Sequence, residues 1–357
     1  MVDEAAVGRI FREESGRSVA ALIGFCGDLD VAEDAVAEAP TEHTEIPTEA
    51  GTMPSHFLKL RDLSPETLED LLLRAVKIKA EPDSVRTAAD RKGLLLLFEK
   101  TSTRTSLSFQ SAIARMGGYS VVMDWRQSNF PITAIEFETQ YVSRNCDVIM
   151  ARLRSHASLR TLAAASQVPV INGCDDRYHP TQALADFLTI LEVSGRFDGT
   201  TLCYVGVHNN IANCLIEGCL ALGVRLLLVT PLVNPDALDP ELESLAAASG
   251  LVERRPDLAS AAAEADYVYT DTWVDMEHFD APEYADEQRQ RIERMLPFQV
   301  NRENLGGANP YLMHDMPIHA GYEIAAELVE CERSVIYRQA ENRMHAQQAL
   351  LLHLLDR

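Results

Sequence analysis

The sequence predicts an α/β chain with two doubly wound parallel-sheet domains, and three observations lead there. Short apolar runs of strand length alternate with amphipathic, helix-like segments. The runs fall into two sets, residues 93–97, 119–123, 147–151 and 168–172, then 201–206, 224–229, 267–270 and 311–315. Finally, 357 residues are enough for two sizeable cores. Uninterrupted apolar runs between helices are the pattern of strands covered on both faces, which parallel sheets require.

Taken in order, residues 1–52 stand apart. Residues 40–55 are rich in Pro, Thr and Glu and read as a linker. The expectation is a leader outside the fold, and the competing reading is an accessory helix pair. Ser64-Pro65-Glu66 starts a helix, with a hydroxyl cap, proline at the first helical position and then an acid. That helix should run to Ala80 and stop before Pro82. The run 93–97 enters a hydroxyl-rich turn, and a helical segment over 107–116 follows it. His179 opens another helix. Ser194-Gly195-Arg196 marks a hinge between a first domain (53–194) and a second (195–339). The alanine-rich stretch 259–265 reads as a helix. A last helix over 340–355 carries Arg343 and should return to complete the first domain.

Composition narrows the function. The net charge of −22 and pI near 4.8 argue against nucleic acid and anionic membranes as partners. No apolar run approaches the ~18 residues that span a bilayer, and the acidic N-terminus lacks the basic region of a signal peptide. Seven cysteines, an odd number without a Cys-x-x-Cys pair, read as reduced thiols of a cytoplasmic protein. The ten histidines show no metal-ligand spacing, so no metal is expected.

The chemistry concentrates in Phe98-Glu99-Lys100-Thr101-Ser102-Thr103-Arg104-Thr105, where a buried strand meets hydroxyls, one guanidinium and a helix start. Backbone N–H groups and the helix dipole there form an anion site, to which hydroxyls and an arginine fork add donors matched to phosphate oxygens. The alternative is a polar N-cap with a surface arginine.

A second stretch, His179-Pro180-Thr181-Gln182-Ala183-Leu184-Ala185-Asp186, decides between them. With the first, it resembles the aspartate/ornithine carbamoyltransferase family. Arg152 at a strand end, Gly206-Val207-His208-Asn209-Asn210, Asp271-Thr272-Trp273-Val274-Asp275-Met276, His314-Asp315-Met316-Pro317 and Glu341-Asn342-Arg343 follow in the family's order. The resemblance covers residues 53–357 and is nearer the ornithine branch. Residues 1–40 instead resemble an N-terminal fragment of an extracytoplasmic-function sigma factor.

The resemblance implies transfer of a carbamoyl group from carbamoyl phosphate to an amine, with no cofactor, in a homotrimer with shared sites. It assigns Ser102, Thr103, Arg104 and Thr105 to the phosphate, and Arg104, Arg152 and His179 to the phosphate and carbonyl oxygens. Gln182 would accept from the carbamoyl NH₂, and Arg343 would add positive charge. On the acceptor side it assigns Asn210 to an α-carboxylate and Asp271 to an α-amino group, with Asp275, Met276, Asp315 and Met316 beside them.

Two departures bear on the acceptor. Asp275 stands where the ornithine branch has serine, and Asp315 where it has cysteine. Both imply a more cationic acceptor, a shifted pose, or a carboxylate acting as base, Asp315 being placed to take the amine's proton. The segment 124–130 also has no lysine at the place a swinging loop would use, where Thr133 stands. Trp125 and Arg126 could substitute, or Trp125 could only pack the loop. Two functions remain open: a carbamoyltransferase for a diamino acid or related amine, and a non-catalytic homologue with a regulatory role.

Overall fold

The computed structural model describes residues 55–274 and 284–356. Both readings of the leader, and the assignments of Asp275 and Met276, lie outside the described residues.

Two parallel sheets carry the chain. The first holds β1 (Gly93–Phe98), β2 (Tyr119–Asp124), β3 (Val148–Arg152) and β4 (Val170–Cys174) in the order β2-β1-β3-β4. The second holds β5 (Thr201–His208), β6 (Arg225–Val233), β7 (Val252–Arg254), β8 (Tyr267–Thr270) and β9 (Tyr311–His314) in the order β7-β6-β5-β8-β9. The described strand pairings are all parallel. β1 and β5, Gly-Leu-Leu-Leu-Leu-Phe and Thr-Leu-Cys-Tyr-Val-Gly-Val-His, are buried along their whole length, as central strands covered on both faces must be. In each sheet the strand order reverses at one place, between β1 and β3 and between β5 and β8, and such switch points open a crevice at the carboxyl ends of the strands.

Ten α-helices are described, one ahead of the strands and the rest between and after them. The first six are α1 (Pro65–Ala80), α2 (Thr103–Arg115), α3 (Ile135–Val142), α4 (His156–Ala165), α5 (Pro180–Ser194) and α6 (Asn210–Leu222). α7 (Pro240–Ser249), α8 (Leu258–Ala262), α9 (Ala285–Met295) and α10 (Ile336–Leu355) complete the set. Ser64 caps α1 through its hydroxyl, 3.2 Å from Thr67 N–H, as its sequence implies. α2 starts at Thr103, ahead of the expected 107, because Ser102 caps it by accepting from Thr105 N–H at 3.2 Å.

α5 and α6 are buried nearly all round and meet where Gly218 faces Phe187; a Cβ there would lie 1.9 Å from the ring. Gly195, at φ 69°, closes α5 in the left-handed region. α10 packs back on the first sheet's helices. Asn342 donates to Thr189 Oγ1 and Glu192 Oε2, each at 2.9 Å, and accepts from Lys79 Nζ at 2.6 Å. It starts at Ile336, ahead of the expected 340. β7 was not expected: it is three residues long and half exposed.

Candidate active site

A cleft of ≈ 910 Å³ opens along the carboxyl ends of both sheets. β1 delivers Lys100 to Thr105, and β3 ends on Arg152. The turn after β4 leads to His179, β5 to Asn209 and Asn210, β8 to Asp271, and β9 to Asp315 and Met316. Of the residues assigned from the sequence and described, all but Gln182 line this cleft.

Three guanidinium groups gather at one end. Arg343 is 2% exposed on α10; its Nη2 donates to Thr105 Oγ1 at 2.8 Å and its Nη1 to Gln182 Oε1. Burial, then Arg104 and Arg152, push its pKa down to about 10. Burial also lowers Arg104, with Arg152 adding to the effect and Asp315 and Asp271 opposing it. Arg152 reaches the Gly173 carbonyl at 3.5 Å, while its Nε has no hydrogen-bond partner among the described residues. Crowded like charges beside a helix N-terminus are poised for a small anion such as a phosphate group, whose arrival relieves their repulsion.

His179 stands at the N-cap of α5, held by its own N–H donating to Cys214 Sγ at 3.1 Å. Burial, then the positive charge of Arg343, Arg152 and Arg104, drives its pKa well below 6.5. The ring is therefore neutral at pH 7, a donor that brings no charge. Its Nδ1 has no partner among the described residues.

Gln182 differs from its expected placement. It is 1% exposed, behind the cleft wall, with its carbonyl oxygen taken by Arg343 and its amide donating to Asp186 Oδ1 at 2.7 Å. Gln339 donates to the same Asp186 oxygen at 2.7 Å and accepts from His314 N–H at 2.9 Å. One buried chain of hydrogen bonds thus runs from Thr105 through Arg343, Gln182, Asp186 and Gln339 to β9.

The acceptor end is acidic. Asn209, which caps α6, also donates to Asp271 Oδ2 at 2.7 Å, and Thr272 N–H donates to Oδ1 at 2.5 Å. Burial, then the neighbouring Asp315 carboxylate, hold Asp271 well above the ordinary aspartate range. Against its own burial, Asp315 is held below that range by His314, Asp271 and Arg104. His314 in turn lies 3.5 Å from Asp315 Oδ1 and 3.1 Å from Glu323 Oε1. Glu323 also accepts from His319 N–H at 2.5 Å, tying the turn after β9 in place. Asn210 lines the cleft with its amide on the Asp175 carbonyl at 2.7 Å. Asn209, Asp186 and Glu323 were missed from sequence. Only Asn209 had a local signal, as an Asn directly before a helix.

In the loop after β2, Trp125 stacks on Phe130 at 4.7 Å between ring centroids, while Asp124 and Arg126 face the cleft. Trp125 therefore packs the loop, and Arg126 is the side chain it offers to the cleft. No helix of the described residues is long and apolar enough to cross a membrane.

Residues 55–192 match the aspartate/ornithine carbamoyltransferase, carbamoyl-P binding domain, and residues 198–354 the Asp/Orn binding domain of the same family. An ornithine carbamoyltransferase of Methylococcus capsulatus is 37% identical over 305 residues, 85% of this chain and 99% of the relative. Among solved structures, the ornithine carbamoyltransferase from Pyrococcus furiosus superposes with a TM-score of 0.76 at 33% identity, covering 84% of this chain and 96% of that one. That from Thermus thermophilus gives 0.75 at 33% identity, covering 85% and 100%. With both domains matched in order and the guanidinium-lined cleft between the two sheets, this chain belongs to the aspartate/ornithine carbamoyltransferase family and is a carbamoyltransferase acting on carbamoyl phosphate.

Proposed function

We propose that this carbamoyltransferase moves the carbamoyl group to a primary amine of a diamino acid or related amine, releasing phosphate. The observation that carries the reading is a single cleft that brings Arg104, Arg152 and Arg343 together with Asp271 and Asp315. The N-terminal turn of α2, from Ser102 to Thr105, and the three arginines hold the phosphate dianion. Neutral His179, with Arg104 and Arg152, donates to the carbonyl oxygen as it becomes an oxyanion; such preorganised donors supply ~3 kcal/mol each. Gln182 acts by fixing Arg343. Asn210, Asp271, Asp275, Met276, Asp315 and Met316 receive the acceptor. The unprotonated amine attacks the carbonyl carbon, the bond to the phosphate oxygen breaks, and the proton left on nitrogen goes to phosphate.

A colorimetric assay for ureido product over a panel of amines (ornithine, lysine, shorter diamino acids, simple diamines) tests this. Product with at least one amine is expected. Phosphate binding without product from any amine would favour the regulatory homologue.

The remaining organisation follows the same reading. Residues 53–194 with α10 form the carbamoyl-phosphate domain, residues 195–339 the acceptor domain, and residues 1–52 a dispensable leader. The protein works in the cytoplasm as a homotrimer with shared sites. Support comes from edge strand β2, where Tyr119, Val121 and Val122 are about half exposed, and from nearby exposed Leu107 on α2. An active monomer in sedimentation velocity would refute the assembly.

A further inference from the structure

We infer that Asp271 and Asp315 work as a single proton-sharing pair that takes the proton from the acceptor's ammonium group, an inference that rests on the carbamoyl-transfer reading. The backbone makes the pair. Thr270 of β8 and His314 of β9 are partners in the parallel register, so the next residue on each strand, Asp271 and Asp315, emerges side by side at the carboxyl edge of the sheet. Both line the cleft, with Asp271 5% exposed and the Asp315 side chain 13%.

Asp271 is pinned. Asn209 and Thr272 each donate to one of its oxygens, and the neighbouring Asp315 carboxylate adds to the burial that holds its pKa high. Asp315 is the less occupied partner: its buried Oδ1 has no hydrogen-bond partner among the described residues. Two adjacent buried carboxyls cannot both stay ionised, so one proton is held between them and a single negative charge faces the cleft. That arrangement offers an arriving ammonium one counter-charge and one open acceptor oxygen.

The groups around the pair set when it accepts. His314 of β9 faces Asp315; Arg104 of α2 and Arg343 of α10 act on it with positive charge; Asp186 of α5 acts with negative charge, and the neutral Tyr204 and Tyr269 hydroxyls lie on β5 and β8. Arg104 is the lever, because the phosphate dianion claims the same guanidinium. Once carbamoyl phosphate is bound, the attraction that keeps Asp315 ionised is spent on phosphate, and the pair's affinity for a second proton rises. Deprotonation of the acceptor is thereby tied to the presence of the carbamoyl donor.

The protons balance. The ammonium N–H bond breaks and its proton joins the pair. The nitrogen lone pair then forms the N–C bond as the C–O bond to phosphate breaks. The second nitrogen proton leaves with hydrogen phosphate, and the pair releases the first to solvent.

The test compares a strongly basic amine that the wild type carbamoylates, ornithine first, with hydroxylamine, which is already unprotonated at neutral pH. Both are assayed with wild type and Asp315→Asn at saturating carbamoyl phosphate. General-base assistance is worth about 10²–10⁴-fold, so the variant should lose at least about 100-fold in kcat/KM for the basic amine. Its loss for hydroxylamine, which has no proton to give up before attack, should be smaller by at least about tenfold. Asp271→Asn should show the same split, and each variant must still bind inorganic phosphate by calorimetry. Equal loss for both amines in a phosphate-binding variant overturns the pair while leaving carbamoyl transfer standing. Absence of product from wild type with every amine overturns both.

Discussion

Replacing Asp186 by asparagine should stabilise this protein at alkaline pH and leave it unchanged in acid. Asp186 is fully buried; both hydrogen bonds it accepts, from Gln182 and Gln339, land on Oδ1 at 2.7 Å. Its Oδ2 has no hydrogen-bond partner among the described residues. Burial is the main reason its pKa is pushed up to about 7 from 3.8. The folded state therefore holds a proton that the unfolded chain has lost between pH about 4 and 7, so stability falls as pH rises through that window and is level beyond it. At roughly 1.4 kcal/mol per pH unit, charging Asp186 in the fold costs about 4 kcal/mol at most. Asparagine keeps the Oδ1 acceptor and places an amide where Oδ2 lies unmatched. We expect a gain of about 1–3 kcal/mol at pH 8 and nearly none at pH 5, measured by urea unfolding at both values. A variant destabilised at pH 8, or shifted equally at both, would refute a buried, reluctantly ionised Asp186.

Arg343→Met removes one of three clustered guanidinium groups together with its bonds to Thr105 and Gln182, and should weaken inorganic phosphate binding by about 2–4 kcal/mol in calorimetry; a loss under threefold would exclude it from the anion site. Arg61 donates to Glu217 Oε1 and Asp239 Oδ2, both at 2.7 Å, tying the chain ahead of α1 to α6 and α7. Arg61→Met should cost about 3 kcal/mol by stranding the buried Glu217 carboxylate, and adding Glu217→Leu should restore most of that; no recovery in urea unfolding would contradict a stranded charge. A chain starting at Met53 should keep kcat within about twofold and assemble unchanged, since short appended pieces add little to a fold that buries its own core.

How far the sequence was legible depends on whether a feature is local. β1 and β5 were readable because a strand buried on both faces needs an unbroken apolar run. β7, Val252–Arg254, was not, because three half-exposed residues at a sheet edge carry no such demand. The start of α2 was set too late because Thr103, Arg104 and Thr105 are weak or polar helix formers, and the Ser102 cap outweighs their propensity. The residues assigned at strand ends do line the cleft, since position at a strand's end is a local property. Their couplings were not. Nothing near Gln182 says that a guanidinium 161 positions away will occupy its carbonyl oxygen. The pairing of Asp271 with Asp315 likewise depends on β8 and β9 being neighbours, which strand composition cannot state.

The placement of charge resolves an apparent conflict in the composition. A chain of net charge −22 should repel an acyl phosphate, yet its chemistry needs one. The cleft confines its cations to one side. Among the described lining residues, the first sheet's side with α10 contributes Lys100, Arg104, Arg126, Arg152, Arg154 and Arg343 alongside Glu99, Asp124, Asp175 and Asp176, whereas the second sheet's side contributes Asp236, Asp271 and Asp315 and no lysine or arginine. Long-range repulsion is screened over about 10 Å at moderate ionic strength, so at the phosphate end the local guanidinium cluster dominates. The amine, by contrast, is drawn both by the acidic surface and by the acidic wall. Raising salt should therefore slow capture of the amine while the anion site, built from buried and partly buried groups close to the ligand, is affected less. On the proposed reading, the phosphate is drawn to the arginine cluster and the amine to the side that carries only acids, and the carbonyl carbon and the attacking nitrogen meet within the one cleft.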